Sequence, residues 1–214
     1  MIVPYQSSRA LSRLAADHTN ARAMPISKPD IDTTFLQDDR LLLRPWRLAD
    51  APAMAEAVRE SVDSFQPWLN WCSADYGLED ALAHIRACAT RWVDGQQFAF
   101  AVYDRHDGTL VGSAGLNQFN RIHRSANAGY WTRRSRQGQR LAARALTMIA
   151  RFGFDELGLV RVEIVAEPGN QPSRRTAERA GARFEAIARH RLWLHDQPAD
   201  AAVYGLLPGD LAED

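Results

Sequence analysis

The spacing of apolar residues changes along the chain, and each change marks a different kind of element. In residues 78–94 apolar side chains recur every three to four positions, which predicts one buried helix face. Residues 97–105 instead alternate between apolar and polar, as a half-buried strand does. An Asp-Gly pair follows and predicts a hairpin to a partner strand over 110–119.

The remaining segments follow the same two periods. Helices are predicted over 51–60, 78–94, 138–154 and 173–181, and strands over 40–47, 97–105, 110–119, 126–132, 159–166, 182–194 and 200–207. The elements do not alternate regularly, so they predict an α/β fold with a mixed sheet. The G-x-G-x-x-G motif is absent, which gives a dinucleotide-binding domain little support.

Residues 1–36 lack this order. The segment is rich in Ser, Ala and Arg, has weak periodicity, and shows no clean apolar core with a cleavage site for a targeting peptide. We predict a poorly ordered extension over 1–36, or an overlong start with Met24 as the initiator. A single domain is predicted over 37–214, long enough for one sizeable core.

Composition and charge narrow the function classes. The chain has 214 residues, of which 46% are hydrophobic and 24% charged, as in a soluble globular protein. Its 26 basic and 26 acidic residues cancel, whereas a nucleic-acid-binding protein usually carries excess positive charge. No apolar run predicts a membrane span, and no histidine or cysteine cluster predicts a metal site. We therefore expect a cytoplasmic protein without metal, membrane or direct nucleic-acid partners.

One stretch concentrates arginine: "RRSRQGQRLAARAL", residues 133–146. It leads from a predicted strand into the helix predicted over 138–154. Amides in the first turn of a helix lack intrahelical acceptors and carry partial positive charge, which suits a phosphate, and Gly138 lets the backbone approach closely. A solvated basic helix start explains the spacing equally well. In the anion interpretation, charge would come from Arg133, Arg134, Arg136 and Arg140.

Several motifs, taken in order, resemble the GNAT N-acetyltransferases. "QGQRLA", residues 137–142, is similar to the family's acetyl-CoA motif at both ends, but Arg140 stands where the middle glycine is usual. If the backbone there is helical, a side chain costs little, whereas a positive φ would impair CoA binding. Together with "LLLRPWR", "QPWLNW", "GLVRVE" and "NQPS", the stretch resembles the RimJ/RimL-type ribosomal-protein N-acetyltransferases over about residues 40–207.

The resemblance implies the GNAT fold, with a mixed central sheet of six to seven strands, splayed middle strands and about four flanking helices. It implies acetyl-CoA as co-substrate, with the pantetheine arm beside the backbone of Tyr130, Trp131 and Thr132. Asn170 would bind the same arm through its side-chain amide. The pyrophosphate would lie on the amides of Gln137, Gly138, Gln139, Arg140, Leu141 and Ala142.

The resemblance also implies an acid for the leaving thiolate. Ser173 completes the family's Asn-x-x-Ser pattern and would protonate the sulfur, since Ala177 stands where many branches carry an acid tyrosine. Asn170 and Ser173 equally fit an Asn turn and a helix N-cap, and the two interpretations are compatible.

The base and the acceptor pocket are less marked. Glu163, on the predicted strand over 159–166, is one candidate for the base, with an arginine ion pair as the alternative. Asn117 could align the amine or its water. Trp68 and Trp71 either line the acceptor pocket or fill the core.

These features predict an acetyl-CoA-dependent N-acetyltransferase that modifies an amine, preferably a protein N-terminal α-amine, by direct attack in a ternary complex. Two alternatives stay open. One is a small-amine acetyltransferase acting on an amino acid, polyamine or drug. The other is a non-catalytic acyl-CoA-binding module, suggested by Arg140 and the missing tyrosine. GNAT proteins are often dimers, so the resemblance leaves a homodimer open.

Overall fold

A computed structural model describes residues 28–211. Its strands are β1 Leu36–Gln37, β2 Leu41–Pro45, β3 Phe98–Asp104, β4 Leu110–Asn120, β5 Ser125–Thr132, β6 Arg161–Ala166, β7 Arg183–Leu194 and β8 Gln197–Leu206. Its helices are α1 Ala51–Arg59, α2 Val62–Phe65, α3 Leu78–Val93, α4 Leu141–Asp155 and α5 Gln171–Arg179. The strands form one mixed sheet in the order β1-β2-β3-β4-β5-β6-β8-β7.

The predicted α/β class with a mixed sheet is confirmed, but the sheet has eight strands rather than six to seven. The additional strand is β1, in which Leu36 pairs with Leu43. A two-residue strand is too short to show a period in the sequence. Residues 1–27 of the predicted extension lie outside the described residues. Its last part contacts the domain: the Pro29 carbonyl accepts a 2.8 Å hydrogen bond from the Trp92 indole.

The sheet is covered by helices on both faces. Phe98 and Phe100 point to one face and contact Phe152 of α4, with ring centroids 5.8 and 5.3 Å apart. The alternate residues Ala99 and Ala101 belong to the second apolar cluster, with α1 and α3. Apolar packing therefore holds α4 against one face of the sheet and α1 and α3 against the other. Within residues 28–211, no helix is long and apolar enough to cross a membrane.

The sheet divides between β5 and β6. These parallel strands pair at three positions, from Ser125 opposite Arg161 to Asn127 opposite Glu163. Beyond Asn127, β5 stays paired with β4, whereas β6 stays paired with β8. Helix α4 makes the long crossover that a parallel pair requires. The backbone from 128 to 132 therefore has no strand partner on its β6 side among the described residues.

Candidate active site

A cavity of about 730 Å³ lies where β5 and β6 diverge. Both strands, the loop before α4, the start of α5 and the end of β7 contribute to its walls. The predicted site residues that line it are Trp68, Tyr130, Trp131, Thr132, Gln137, Gly138, Arg140, Leu141, Ala142, Asn170 and Ser173. Those that do not line it are Trp71, Asn117, Gln139 and Glu163.

The loop before α4 has two residues in the left-handed region. Gly138 has φ 77° and Arg140 has φ 63°. Helix α4 therefore begins at Leu141, with Arg140 as its N-cap, rather than at 138 as predicted. No side chain from the described part of the chain, residues 28–211, caps this helix start. Its first-turn amides, lacking intrahelical acceptors, are suited to an anion in the cavity.

Arg140 is the non-glycine residue whose conformation the sequence left open. Its positive φ disfavours a side chain by roughly 1–2 kcal/mol, so the inexpensive helical alternative does not apply. Gly138 is needed for conformation rather than for protein packing, since no heavy atom lies within 4 Å of where a Cβ would be. Space for a ligand therefore remains beside the loop.

The three arginines upstream of Arg140 are occupied by carboxylates. Arg133 is buried and binds Glu56 at 2.7 Å and also Glu60. The prediction that it surrounds the anion is therefore wrong. Arg134 pairs with an aspartate at 3.3 Å, and Arg136 pairs with two aspartates. Their charges are largely balanced by protein groups.

Two other arginines line the cavity. Arg175 and Arg179 of α5 join Arg140 there, and no carboxylate within residues 28–211 pairs with any of the three. Sequence analysis missed Arg175 and Arg179 because they follow the anion motif by more than thirty residues. Their four-residue spacing, which places both on one helix face, was the available signal. The cavity therefore has a positive rim.

Glu60 anchors the turn that carries the anion loop. Its carboxylate accepts hydrogen bonds from the Ser135 amide at 2.9 Å, the Ser135 hydroxyl at 2.7 Å, and Arg133. These donors, Arg133 foremost, lower the pKa of Glu60 from 4.5 to about 2. Gln137 closes the loop by donating from its side chain to the Thr132 carbonyl at 3.0 Å. The loop geometry is thus fixed by protein contacts alone.

A hydroxyl pair connects β5 to α5 at the floor of the cavity. The Tyr130 phenol donates to the Ser173 carbonyl at 3.0 Å and lies 3.2 Å from the Ser173 hydroxyl. Burial raises the pKa of Tyr130 to about 12, so the phenol stays protonated at neutral pH. Sequence analysis considered only the backbone of Tyr130, because strand alternation does not reveal which helix a side chain meets.

Asn170 is the N-cap of α5. Its side-chain oxygen accepts a hydrogen bond from the Ser173 amide at 3.1 Å, so Ser173 lies in the first turn rather than at the cap. The prediction that Ser173 is the helix N-cap is therefore wrong, because Asn170 takes that position; both residues line the cavity. The side-chain nitrogen Nδ2 of Asn170 has no hydrogen bond to residues 28–211 and is free to donate to a ligand, whereas its backbone amide donates to the Glu167 carbonyl at 2.9 Å.

The two predicted residues for amine activation lie behind the cavity wall. Glu163 accepts from Arg191 at 3.0 Å and from Arg161 at 3.4 Å, which is the ion-pair alternative. Asn117 accepts from Asn127, which itself lines the cavity, at 3.0 Å.

The two predicted acceptor tryptophans separate. Trp68 lines the cavity, whereas Trp71 packs against Trp131 with ring centroids 6.5 Å apart and is 42% exposed. No group of three or more metal-ligating side chains is present within residues 28–211.

Residues 40–183 match a family model described as an acetyltransferase (GNAT) domain. The chain is 28% identical over 174 residues to "Putative ribosomal N-acetyltransferase YdaF" of Bacillus subtilis, covering 79% of this chain and 92% of that protein. A solved structure, "Structure of a putative ribosomal-protein-serine acetyltransferase from Vibrio cholerae", is 32% identical with TM-score 0.74, covering 82% of this chain and 98% of that one. Mycobacterium smegmatis RimJ in complex with CoA-disulfide is 24% identical with TM-score 0.75, covering 85% and 89%. The chain therefore belongs to the GNAT family and is an acetyltransferase.

Proposed function

We propose that this acetyltransferase uses acetyl-CoA to acetylate a protein N-terminal α-amine by direct attack in a ternary complex. One observation carries the proposal: among residues 28–211, a single cavity joins an open strand edge, an uncapped helix start and three arginines without carboxylate partners. An extended ligand with a negatively charged end matches that combination.

Acetyl-CoA fits these walls by its chemistry. On its β6 side, where residues 28–211 provide no strand partner, the β5 backbone from 128 to 132 would hydrogen-bond the amides of the pantetheine arm. The Thr132 carbonyl already accepts from Gln137. Because the Arg133 amide donates to Val111 of β4, strand alternation turns the Trp131 backbone towards β4 and leaves Tyr130 to supply most of this pairing. The first-turn amides of α4 would hold the pyrophosphate. Arg140, Arg175 and Arg179 would neutralise the remaining phosphate charge.

The hydroxyl pair supplies a route for the proton of the leaving group. Ser173 would donate its proton to the departing sulfur, and Tyr130, 3.2 Å away, would return one to Ser173. The raised pKa of Tyr130, about 12, keeps the phenol protonated at neutral pH, so Tyr130 would give up its proton only as another replaces it. This arrangement gives the tyrosine that is missing at Ala177 a substitute from β5.

The acceptor class rests on two supports. Relatives that carry ribosomal-protein names match most of the chain, and protein N-termini are α-amines. The acceptor side of the cavity combines Trp68 with Leu192 and Leu194. Such an apolar wall suits a peptide end better than a polyamine with several charges.

The test is thiol release from acetyl-CoA with a panel of short peptides, amino acids, polyamines and aminoglycosides. We expect turnover with peptide α-amines and none with the same peptides blocked at the N-terminus. Turnover confined to small amines would replace the proposal with a small-amine transferase. Thermal shift is the binding control: about 1 mM acetyl-CoA at an affinity of about 10 µM stabilises by about 2.7 kcal/mol. Stabilisation without turnover on any amine would favour a binding module.

A further inference from the structure

We propose that Glu167 is the group that receives the ammonium of the acceptor and removes its proton. The inference rests on the proposed function and names a residue that the sequence patterns did not single out. Glu167 follows β6 directly, beyond the last pair with β5, and its side chain lines the cavity.

Among residues 28–211, two carboxylates line the cavity, Asp63 and Glu167, and they differ in availability. The side chain of Asp63 is 87% exposed and pairs with Arg134 at 3.3 Å. Glu167 is partly buried, and no arginine or lysine within residues 28–211 pairs with it. Its Oε2 accepts from the Gly169 amide at 2.6 Å, which orients the carboxylate and leaves Oε1 for a ligand. Glu167 is thus the shielded, uncompensated negative charge in a cavity otherwise rimmed by arginines.

Strand alternation places Glu167 on the side opposite α4. Val162 and Ile164 of β6 are buried in the core cluster that includes α4, and Ala166 is also buried, so the alternate residues face the other way. The uncapped start of α4 and the proposed phosphate site lie on the α4 side. An acceptor meeting Glu167 would therefore approach the splayed strands from the face opposite the phosphates.

The surroundings of Glu167 select the kind of amine. A Cβ built on Gly169 would lie 2.8 Å from Glu167 Oε2 and 3.8 Å from Trp68 Cη2, so the carboxylate and the indole both lie next to that glycine. An ammonium there would bind a carboxylate beside an aromatic ring, and both attract a cation. The substrate class is a primary amine whose neighbouring group is apolar.

The step balances as follows. The acceptor enters as an ammonium, and Glu167 takes one N–H proton to become a carboxylic acid, freeing the nitrogen lone pair. The nitrogen forms a bond to the thioester carbonyl carbon, and the carbon–sulfur bond breaks. After the carbon–nitrogen bond forms, the second nitrogen proton passes to the Tyr130–Ser173 hydroxyl pair and replaces the proton that Ser173 gave to the sulfur. The carboxylic acid of Glu167 returns its proton to solvent, so one proton is released overall.

The experiment compares Glu167→Gln with Glu163→Gln, since Glu163 is the rival base on the same β6 segment. The readouts are kcat/KM from pH 5.5 to 9 on an accepted peptide and acetyl-CoA affinity by calorimetry. We expect Glu167→Gln to lower kcat/KM about 100-fold at pH 7 with acetyl-CoA affinity unchanged. The deficit should narrow as pH approaches the α-amine pKa of about 7.7–8.0, because the acceptor then loses its proton unaided. A merely structural role would not produce that pH dependence.

Three further variants make the result decisive. Glu167→Asp keeps a carboxylate and should retain the wild-type pH profile at a reduced rate. Glu156→Gln, on the exposed end of α4, controls for loss of one surface charge and should match wild type. A Glu167→Gln protein with wild-type rate and pH profile would overturn the inference. So would a pH-dependent deficit that appears in Glu163→Gln instead. Absence of amine turnover by the wild type would overturn the proposed function itself.

Discussion

The arginines before α4 and the arginines on the cavity rim are chemically identical but have different environments. Arg133 and Arg136 each contact two carboxylates, and Arg133 is buried. Arg175 and Arg179 lie on the exposed face of α5 with no carboxylate partner within residues 28–211. The difference is whether the protein supplies the counter-charge.

This comparison separates shape from charge in anion binding. Paired guanidiniums hold the turn that carries the loop, because each fixes several acceptors in a set geometry. Unpaired guanidiniums leave positive potential for a ligand to neutralise. Two arginines lie between these sets: Arg136 lines the cavity although it is paired with two aspartates, and Arg140 lines the cavity while its backbone forms the N-cap of α4. Variants of each set should therefore change different observables.

The largest effect is expected from Arg133→Met. It leaves the Glu56 and Glu60 carboxylates without their shared partner, and the free energy of unfolding should fall by about 2–3 kcal/mol. Urea unfolding at pH 7 measures this loss. Met retains most of the buried volume, so the change reports the ion pairs rather than a cavity. A loss below 0.5 kcal/mol, in the range of about ±0.5 that neutral surface changes give, would contradict the shaping role.

The reverse pattern is expected from the double variant Arg175→Ala and Arg179→Ala. Removing two charges that contact a bound phosphate should weaken acetyl-CoA binding by about 10- to 100-fold and flatten its salt dependence. Stability without ligand should change by less than about 1 kcal/mol, since the two side chains have no carboxylate partners within residues 28–211. Calorimetric titration at two salt concentrations is the measurement.

Arg174→Ala is the matched control on the same helix. Arg174 donates to the Tyr204 hydroxyl and to the Pro168 carbonyl, both at 3.0 Å, and does not line the cavity. It should lower stability and leave acetyl-CoA affinity unchanged. An affinity loss equal to that of the double variant would erase the distinction between the two sets.

Acid should destabilise the turn before α4 that Glu60 holds through Ser135 and Arg133. The pKa of Glu60 is about 2 in the folded protein against 4.5 as its ordinary value, so the ionised form favours folding. Its contribution is complete above pH 4.5 and is lost as pH falls from there towards 2. With solvent screening of this partly exposed group, we expect about 1–2 kcal/mol.

The difference in unfolding free energy between wild type and Glu60→Gln, followed from pH 7 to 3, isolates this residue from the other carboxylates. The difference should shrink as pH falls. A difference independent of pH would show that Glu60 does not couple its protonation to folding.

The smallest effect distinguishes the backbone of Arg140 from its charge. Arg140→Gly and Arg140→Ala both remove the guanidinium, but only glycine relieves the positive φ of 63°. The glycine variant should be more stable than the alanine variant by about 1 kcal/mol. Thermal unfolding of the two proteins measures this gap. Both should lose acetyl-CoA affinity to a similar extent, and a tighter-binding glycine variant would show that the side chain hinders the ligand.

The hydrophobic periods of the sequence predicted the elements because burial imposes them residue by residue. Leu141, Ala145, Ile149 and Phe152 are spaced as a helix requires, and all four are buried in α4. The start of α4 was placed too early because a left-handed residue leaves no mark on periodicity. A glycine at 138 signals the possibility, but an arginine at 140 does not.

Site residues were predictable where a local motif defines them and not where a distant partner does. The residues predicted for the anion loop line the cavity except Gln139, and the Asn-x-x-Ser pattern indicated a helix start, although Asn170 rather than Ser173 is the cap. The occupation of Arg133 depends on Glu56 and Glu60, more than seventy residues upstream. The Tyr130–Ser173 contact similarly depends on how α5 packs beside β5. Such pairings are properties of the assembled sheet.

Because β5 and β6 pair over a short stretch, the sheet consists of two parts, β1–β5 and β6–β8. Three register positions, 125–127 against 161–163, and the crossover helix α4 connect these two parts of the sheet. A ligand in the cavity would lie between the two parts of the sheet and contact both β5 and β6. Amide deuterium uptake should therefore slow in the diverging ends of both β5 and β6 when acetyl-CoA binds. The bound ligand would then connect the two strands where they no longer pair with each other.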